Sequence, residues 1–200
     1  GADFGGFGGG SVRRNGRSQE AALTVRVDDV MHGAEKRITL PVRERTEEGH
    51  VVQRNKTYDV KIPAGTTEGS VIRLSGQGEP GVGGGKPGDL LLKVTLAPHP
   101  DFEVDGHDLR TKLHLAPWEA ALGAKVPVPT PDGEVTVTVP EGSQSGNKLR
   151  LREKGLPKKK DGGRGDLYVE MLIRVPEGLD DRESELFEQL QEASAFTPRA

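Results

Sequence analysis

Several stretches of this 200-residue chain hold residue types that could do chemistry, and their spacing decides what each can do. Gly81 to Pro87 reads G-V-G-G-G-K-P, the glycines and lysine of a phosphate cradle. Such a loop needs glycine five residues before its Gly-Lys pair and a hydroxyl after the lysine. Pro80 and Pro87 stand there, so both the tight turn and the magnesium ligand are missing. Gly142 to Gly146, G-S-Q-S-G, has glutamine where a nucleophile elbow needs serine. The five histidines, at 32, 50, 99, 107 and 114, show no paired helical spacing that would hold a metal. The chain has no cysteine, which removes disulfides and thiolate–metal sites. Lys158-Lys159-Lys160 with Arg164 is a basic loop short enough to be a solvated turn. No acid, base and nucleophile converge, so the expectation is a protein that is not an enzyme and needs no cofactor.

The elements that carry these stretches repeat. Val60 to Leu90 returns 77 positions later as Val137 to Leu167, and 12 of the 31 paired positions are identical without a gap. Roughly two or three would match by chance at ordinary composition. The matched set includes Pro63/Pro140, Gly65/Gly142, Gly69/Gly146, Arg73/Arg150, Gly78/Gly155, Gly88/Gly165 and Asp89/Asp166. Proline ends a strand because it has no N–H to give, and the paired glycines suit a turn needing positive φ. Val71 to Leu74 and Lys148 to Leu151 read as short strands, with longer ones following Asp89 and Asp166. Self-similarity at this period predicts two related, small antiparallel units.

Upstream of the repeat the same plan recurs. Ala21 to Val27 alternates as a half-buried strand, Asp28 to Gly33 is one helical turn, and Glu35 to Val42 alternates again. In the second unit Leu109 to Leu115, Ala116 to Gly123 and Lys125 to Val128 repeat the series. The connection Arg43 to Lys56 is much longer than its counterpart Thr130 to Glu134. Asp180 and Glu183 form a capping box for a helix running to about Ala195, with Leu186, Phe187, Leu190 and Ala193 on one stripe. The expected fold is therefore mainly β, two tandem β-sandwich-like domains each with a short helix, plus a C-terminal amphipathic helix. The expected boundaries are 1–17 for a flexible Gly/Phe linker, 18–98, 99–178, and 179–200. With 32% apolar and 4% aromatic residues the cores are thin. A net charge of −3 gives no strong pull on nucleic acid or anionic membrane. No apolar run approaches the length of a membrane span, and the expectation is a soluble, cytoplasmic protein with no membrane partner.

These residues resemble the C-terminal peptide-binding region of DnaJ-type (heat-shock forty) co-chaperones. The resemblance rests on the Gly/Phe tract at Phe4 to Gly10, V-K-I-P-A-G at Val60 to Gly65, and R-L-S-G-Q-G-E-P at Arg73 to Pro80. It extends to G-D-L-L-L-K-V at Gly88 to Val94 and A-P-W-E-A-A-L-G-A-K-V at Ala116 to Val126. The last piece is most similar to the bacterial curved-DNA-binding DnaJ relatives. The missing cysteines place the resemblance with the class that lacks a zinc module. It implies that unfolded clients bind as extended peptide in an apolar edge-strand groove involving Leu23, Val25, Lys36, Ile38, Leu40 and Leu92. It also implies roles in protein folding and stress response, and a homodimer through Leu186, Phe187, Leu190 and Ala193. Delivery to a DnaK-type chaperone belongs to a J-domain, whose signature tripeptide occurs here as His99-Pro100-Asp101. Here the tripeptide follows a strand and lacks the flanking helices, so it reads as a linking turn, and the J-domain is absent from this sequence. The alternative function is a nucleoid-type DNA-binding protein.

Overall fold

The computed structural model describes residues 13–46, 48–158 and 162–199. The Gly/Phe tract, Lys159 and Lys160 lie outside the described residues. The chain is mainly β. It runs β1 (Gln19–Val25), α1 (Val27–His32), β2 (Ala34–Arg45), β3 (Val51–Ile62), β4 (Val71–Leu74), β5 (Leu90–Leu96) and β6 (Glu103–Asp105). It continues through β7 (Asp108–Leu115), α2 (Pro117–Leu122), β8 (Ala124–Thr130), β9 (Gly133–Val139), β10 (Lys148–Leu151), β11 (Leu167–Ile173) and α3 (Asp181–Ala193). The strands form a sheet ordered β1-β5-β4, a second ordered β10-β11-β7-β6, and two hairpins, β2-β3 and β8-β9. The order β4-β5-β1 thus recurs as β10-β11-β7, with β6 added at the edge.

The expectation of purely antiparallel units fails at the centre of the first sheet. β1 runs parallel to β5, from Gln19 opposite Leu90 to Val25 opposite Leu96, while β4 is antiparallel to β5. A parallel pair needs a long crossover, and here α1 and the β2-β3 hairpin supply it. Alternation in a short run shows which residues share a face but not which distant strand lies alongside. The core follows from that pairing: Val25, Leu92 and Val94 are fully buried, as are Val30 of α1 and Val60 of β3.

The matched residues of the repeat make matched bonds. β3 and β9 stop at Pro63 and Pro140, and the next turn is tied by Thr66 Oγ1 donating to the Pro63 carbonyl (2.7 Å) and Ser143 Oγ to that of Pro140 (2.6 Å). Asp89 accepts the Gly76 N–H (2.9 Å) and pairs with Arg73 (2.6 Å). Asp166 accepts the Glu153 N–H (2.9 Å) and the Arg150 Nε–H (2.7 Å). The Gly78 N–H donates to the Gly88 carbonyl and the Gly155 N–H to that of Gly165. The first short helix starts earlier than Asp28: α1 begins after Arg26, whose N–H is accepted by Asp29 (2.8 Å), so the acid reaches back from within the first turn. In α2, Glu119 does the same for the Ala116 N–H.

Arg14 to Arg17, the end of the segment read as a flexible linker, is bonded to the Glu79 to Gly88 loop. Arg14 and Val82 exchange both main-chain bonds, Gly16 N–H donates to Lys86, and Glu79 N–H donates to Arg17. The chain divides into two compact units. One holds the described residues of Gly1–Thr111, Thr130–Gly133 and the described residues of Arg150–Tyr168; the other holds Lys112–Pro129, Glu134–Leu149 and the described residues of Val169–Ala200. Arg164 helps explain the first grouping: its guanidinium meets Asp132 at 2.6 Å and the Met31 sulfur at 3.9 Å, and its Nε–H donates to the Gly155 carbonyl.

The close approach of the Arg17 strand entry to Gly88 leaves no room for a side chain, since an added Cβ would lie 2.1 Å from the Arg17 carbonyl oxygen. Gly88→Ala should therefore lower stability by about 1–3 kcal/mol in denaturant unfolding. Gly163→Ala, with open space and no positive φ, should stay within about 0.5 kcal/mol of the parent.

Candidate functional site

The β2-β3 hairpin is long because twelve residues pair on each side, Ala34 opposite Ile62 through Arg45 opposite Val51. Opposed residues share a face, so Lys36, Ile38, Leu40, Val42 and Glu44 line one face with Val60, Tyr58, Lys56, Arg54 and Val52. The other face is polar, with Arg37 paired to Asp59 (2.7 Å) and Thr39 bonded to Thr57 (3.0 Å). On the first face Val42, Tyr58, Val60 and Ile62 are buried, while Lys36, Ile38 and Leu40 are half-buried.

The second hairpin supplies an internal comparison. Counting from the matched helix-ending glycines, Gly33 and Gly123, Lys36 corresponds to Val126, Ile38 to Val128 and Leu40 to Thr130. All three of those are buried, Val128 completely. The same face is therefore closed in the second hairpin and half-open in the first.

The six residues expected at a groove separate into two groups. Leu23 (4% exposed), Val25 and Leu92 (both 0%) are core side chains of the β1-β5-β4 sheet. Lys36, Ile38 and Leu40 lie in a row on β2 and reach the surface. Lys36 Nζ sits 2.6 Å from Asp29, the carboxylate that also accepts the Arg26 N–H. Burial alone would raise the Asp29 carboxyl. The bond from Lys36, the Arg26 N–H and the two positive charges outweigh it and hold the carboxyl below its usual range.

Sequence reasoning missed two clefts beside this hairpin. One, of about 240 Å³, is lined by Val42, Glu44, Lys56, Tyr58, Pro80 and Pro87 among others. The other, of about 260 Å³, includes Arg14, Arg17 and Arg43. Comparing the repeats could have pointed to the first, because Tyr58 stands where the second unit has Val135.

α3 is capped as expected, the Asp180 N–H donating to Glu183 (2.9 Å) and the Glu183 N–H to Asp180 (2.7 Å). None of its residues is buried: Leu186 is 48% and Leu190 62% exposed, Phe187 is half-buried and Ala193 is exposed. His99-Pro100-Asp101 forms a turn in which His99 Nδ1 accepts the Asp101 N–H (3.1 Å) and the ring lies 4.9 Å from that of the buried Phe102. No helix among the described residues is long and apolar enough to cross a membrane.

The family described as "DnaJ C terminal domain" matches residues 19–176. The chain belongs to the DnaJ C-terminal domain family. It is similar to the curved DNA-binding protein of Pseudomonas putida F1, 46% identical over 190 residues that cover 94% of this chain and 59% of that protein. The protein of that name in Coxiella burnetii Dugway is 44% identical over 189 residues, again 94% and 59%. That of Pseudomonas syringae pv. tomato is 45% identical over 188 residues, 94% and 60%. The chain thus spans about three fifths of the length of these relatives. The family match contains both repeats and both hairpins, and it ends before α3.

The Asp29–Lys36 pair in this DnaJ C-terminal domain gives a pH signature. A depressed carboxyl stabilises the fold above its unfolded value of about 3.9 and loses that contribution as pH falls through the lower folded value. Asp29→Asn should be less stable than the parent at neutral pH. The deficit should shrink as pH falls below about 4, read by denaturant midpoints across the range. A deficit that stays constant through the acid range would show that the charge contributes nothing.

Proposed function

We propose that this chain is the client-binding part of a DnaJ-type co-chaperone. An unfolded polypeptide would lie extended against the first unit, its apolar side chains on Ile38 and Leu40, with Lys36 at the margin. The observation that carries this reading is the face of the β2-β3 hairpin, half-open where its counterpart in the second hairpin is buried. β1 is an edge strand of its sheet, so it offers main-chain bonds to an added strand of any sequence. Leu23 and Val25 take part through that backbone. The Leu92 side chain, fully buried on the neighbouring strand, holds β1 in place.

Two further parts of the proposal concern partners. The uncovered stripe of Leu186, Phe187, Leu190 and Ala193 on α3 fits a homodimer, which would join two client sites in one molecule and raise effective affinity without new contacts. Handing clients to a DnaK-type chaperone would fall to a J-domain. A cytoplasmic stress-response role is consistent with these parts.

A second reading has its own observation. Arg14, Arg17 and Arg43 share a cleft, and the relatives are named curved DNA-binding proteins. Phosphate contacts by such arginines would give DNA binding that falls steeply with salt, against an overall charge of −3.

Aggregation suppression of a denatured client, run beside a DNA gel shift at several salt concentrations, separates the two readings. Suppression without a shift supports the client reading, and a salt-sensitive shift without suppression reverses it. Ile38→Ser or Leu40→Ser should weaken client binding by about 1–2 kcal/mol, roughly 5-fold to 30-fold, while the protein stays folded. A chain ending at Gly178 should sediment as a monomer that still binds short peptide but holds whole clients less well. A full-length chain that is monomeric at micromolar concentration would sink the dimer.

A further inference from the structure

We infer that the cleft around Tyr58 is a side-chain subsite of the client groove, selective for a carboxamide, the side chain of client glutamine or asparagine. This rests on the client-binding reading above and adds a preference to it. The cleft of about 240 Å³ begins where the half-open strip ends. Along β2 the residues Ile38, Leu40, Val42 and Glu44 alternate onto one face, and the last two line the cleft. An extended client lying on Ile38 and Leu40 would bring a side chain two residues further on, about 7 Å away, over its mouth.

The chemistry of the lining selects the group. Tyr58 is 92% buried, since 8% of it is exposed, and its hydroxyl has no hydrogen-bond partner among the described residues. Burial and the nearby Glu44 carboxylate push the phenol up from its ordinary value, so the oxygen keeps its proton and remains a donor. Glu44 is an acceptor. Val42, Pro80 and Pro87 supply apolar walls. A neutral group that accepts from Tyr58 and donates to Glu44 is a carboxamide. A carboxylate could pair with Lys56 only by taking it from Glu44, and an ammonium with Glu44 only by taking it from Lys56, so either leaves one charge of that pair without its partner, whereas a carboxamide leaves the charges balanced. The hydroxyl oxygen is closed to solvent, so the incoming amide must displace part of the lining. The movable part is the Glu44–Lys56 pair, joined at 3.9 Å with side chains 39% and 49% exposed.

The second repeat lacks the polar lining: Val135 replaces Tyr58 and Gly133 replaces Lys56. The short β8-β9 turn also leaves no counterpart to Glu44. The subsite therefore belongs to the unit whose hairpin face is open.

The test is a set of extended peptides with two apolar side chains at alternate positions and a guest residue two positions further on. The guest is Gln, Asn, Leu, Glu or Lys, and binding to the full chain is read by fluorescence anisotropy. Gln and Asn guests should bind about threefold to tenfold more tightly than the other three, the worth of one well-placed hydrogen bond. Tyr58→Phe should erase that advantage and leave the Leu-guest affinity unchanged. Its denaturant midpoint should be no lower than the parent's, because the hydroxyl it removes has no partner among the described residues. Equal affinity across the guests, or a Gln preference that survives Tyr58→Phe, overturns the subsite while the groove stands. If no peptide of the set binds the parent, or if Ile38→Ser changes none of the affinities, the groove reading falls and the subsite falls with it.

Discussion

Each repeat of this protein depends on one carboxylate at the head of its long strand. Asp89 and Asp166 each take a main-chain N–H from the turn before them and an arginine from the adjoining short strand. The bonds pin β4 against the start of β5, and β10 against the start of β11. They also fix where the intervening glycine and proline loop can run. Units with so little apolar material need such ties, because a thin core alone leaves loop position underdetermined. The glycines at 78, 88, 155 and 165 belong to the same device: each lets two backbones approach within hydrogen-bond distance, where a Cβ would strike a carbonyl.

With the sheet so held, the two hairpins are free to differ. The β8-β9 pair is short and closes its inner face with Val126, Val128 and Thr130. The β2-β3 pair is longer and keeps the same face partly open; it has Tyr58 and Lys56 where its counterpart has Val135 and Gly133, and it carries Glu44 beyond the length that counterpart reaches. One plan used twice thus yields one hairpin with a closed face and one with a half-open face.

Much of this was legible before any coordinates. The repeat, the strand-ending prolines, the helix-closing glycines at 33 and 123 and the capping box of α3 all appear where the residues place them. Each of these is a local demand of backbone geometry. The family followed from motifs that, the Gly/Phe tract apart, lie inside the matched region. The parallel pairing of β1 with β5 was not legible, because the partner strand lies across the whole hairpin crossover and alternation carries no strand direction. The docking of Arg14 to Arg17 was missed because glycine beside basic residues reads as linker, whereas Gly16 is there for close approach to the Glu79 carbonyl.

The residues of the candidate site divide along the same line. Sequence by itself determined that Leu23, Val25, Ile38, Leu40 and Leu92 are apolar members of alternating strands, since period and residue type are properties of the chain. Tertiary structure decided that Leu23, Val25 and Leu92 are core while Ile38 and Leu40 reach the surface, because exposure depends on what packs over a face. It alone brought Tyr58 beside Glu44, Lys56 and the two prolines. Those residues come from three separate segments, and their meeting is set by hairpin register and loop position, which no single stretch encodes.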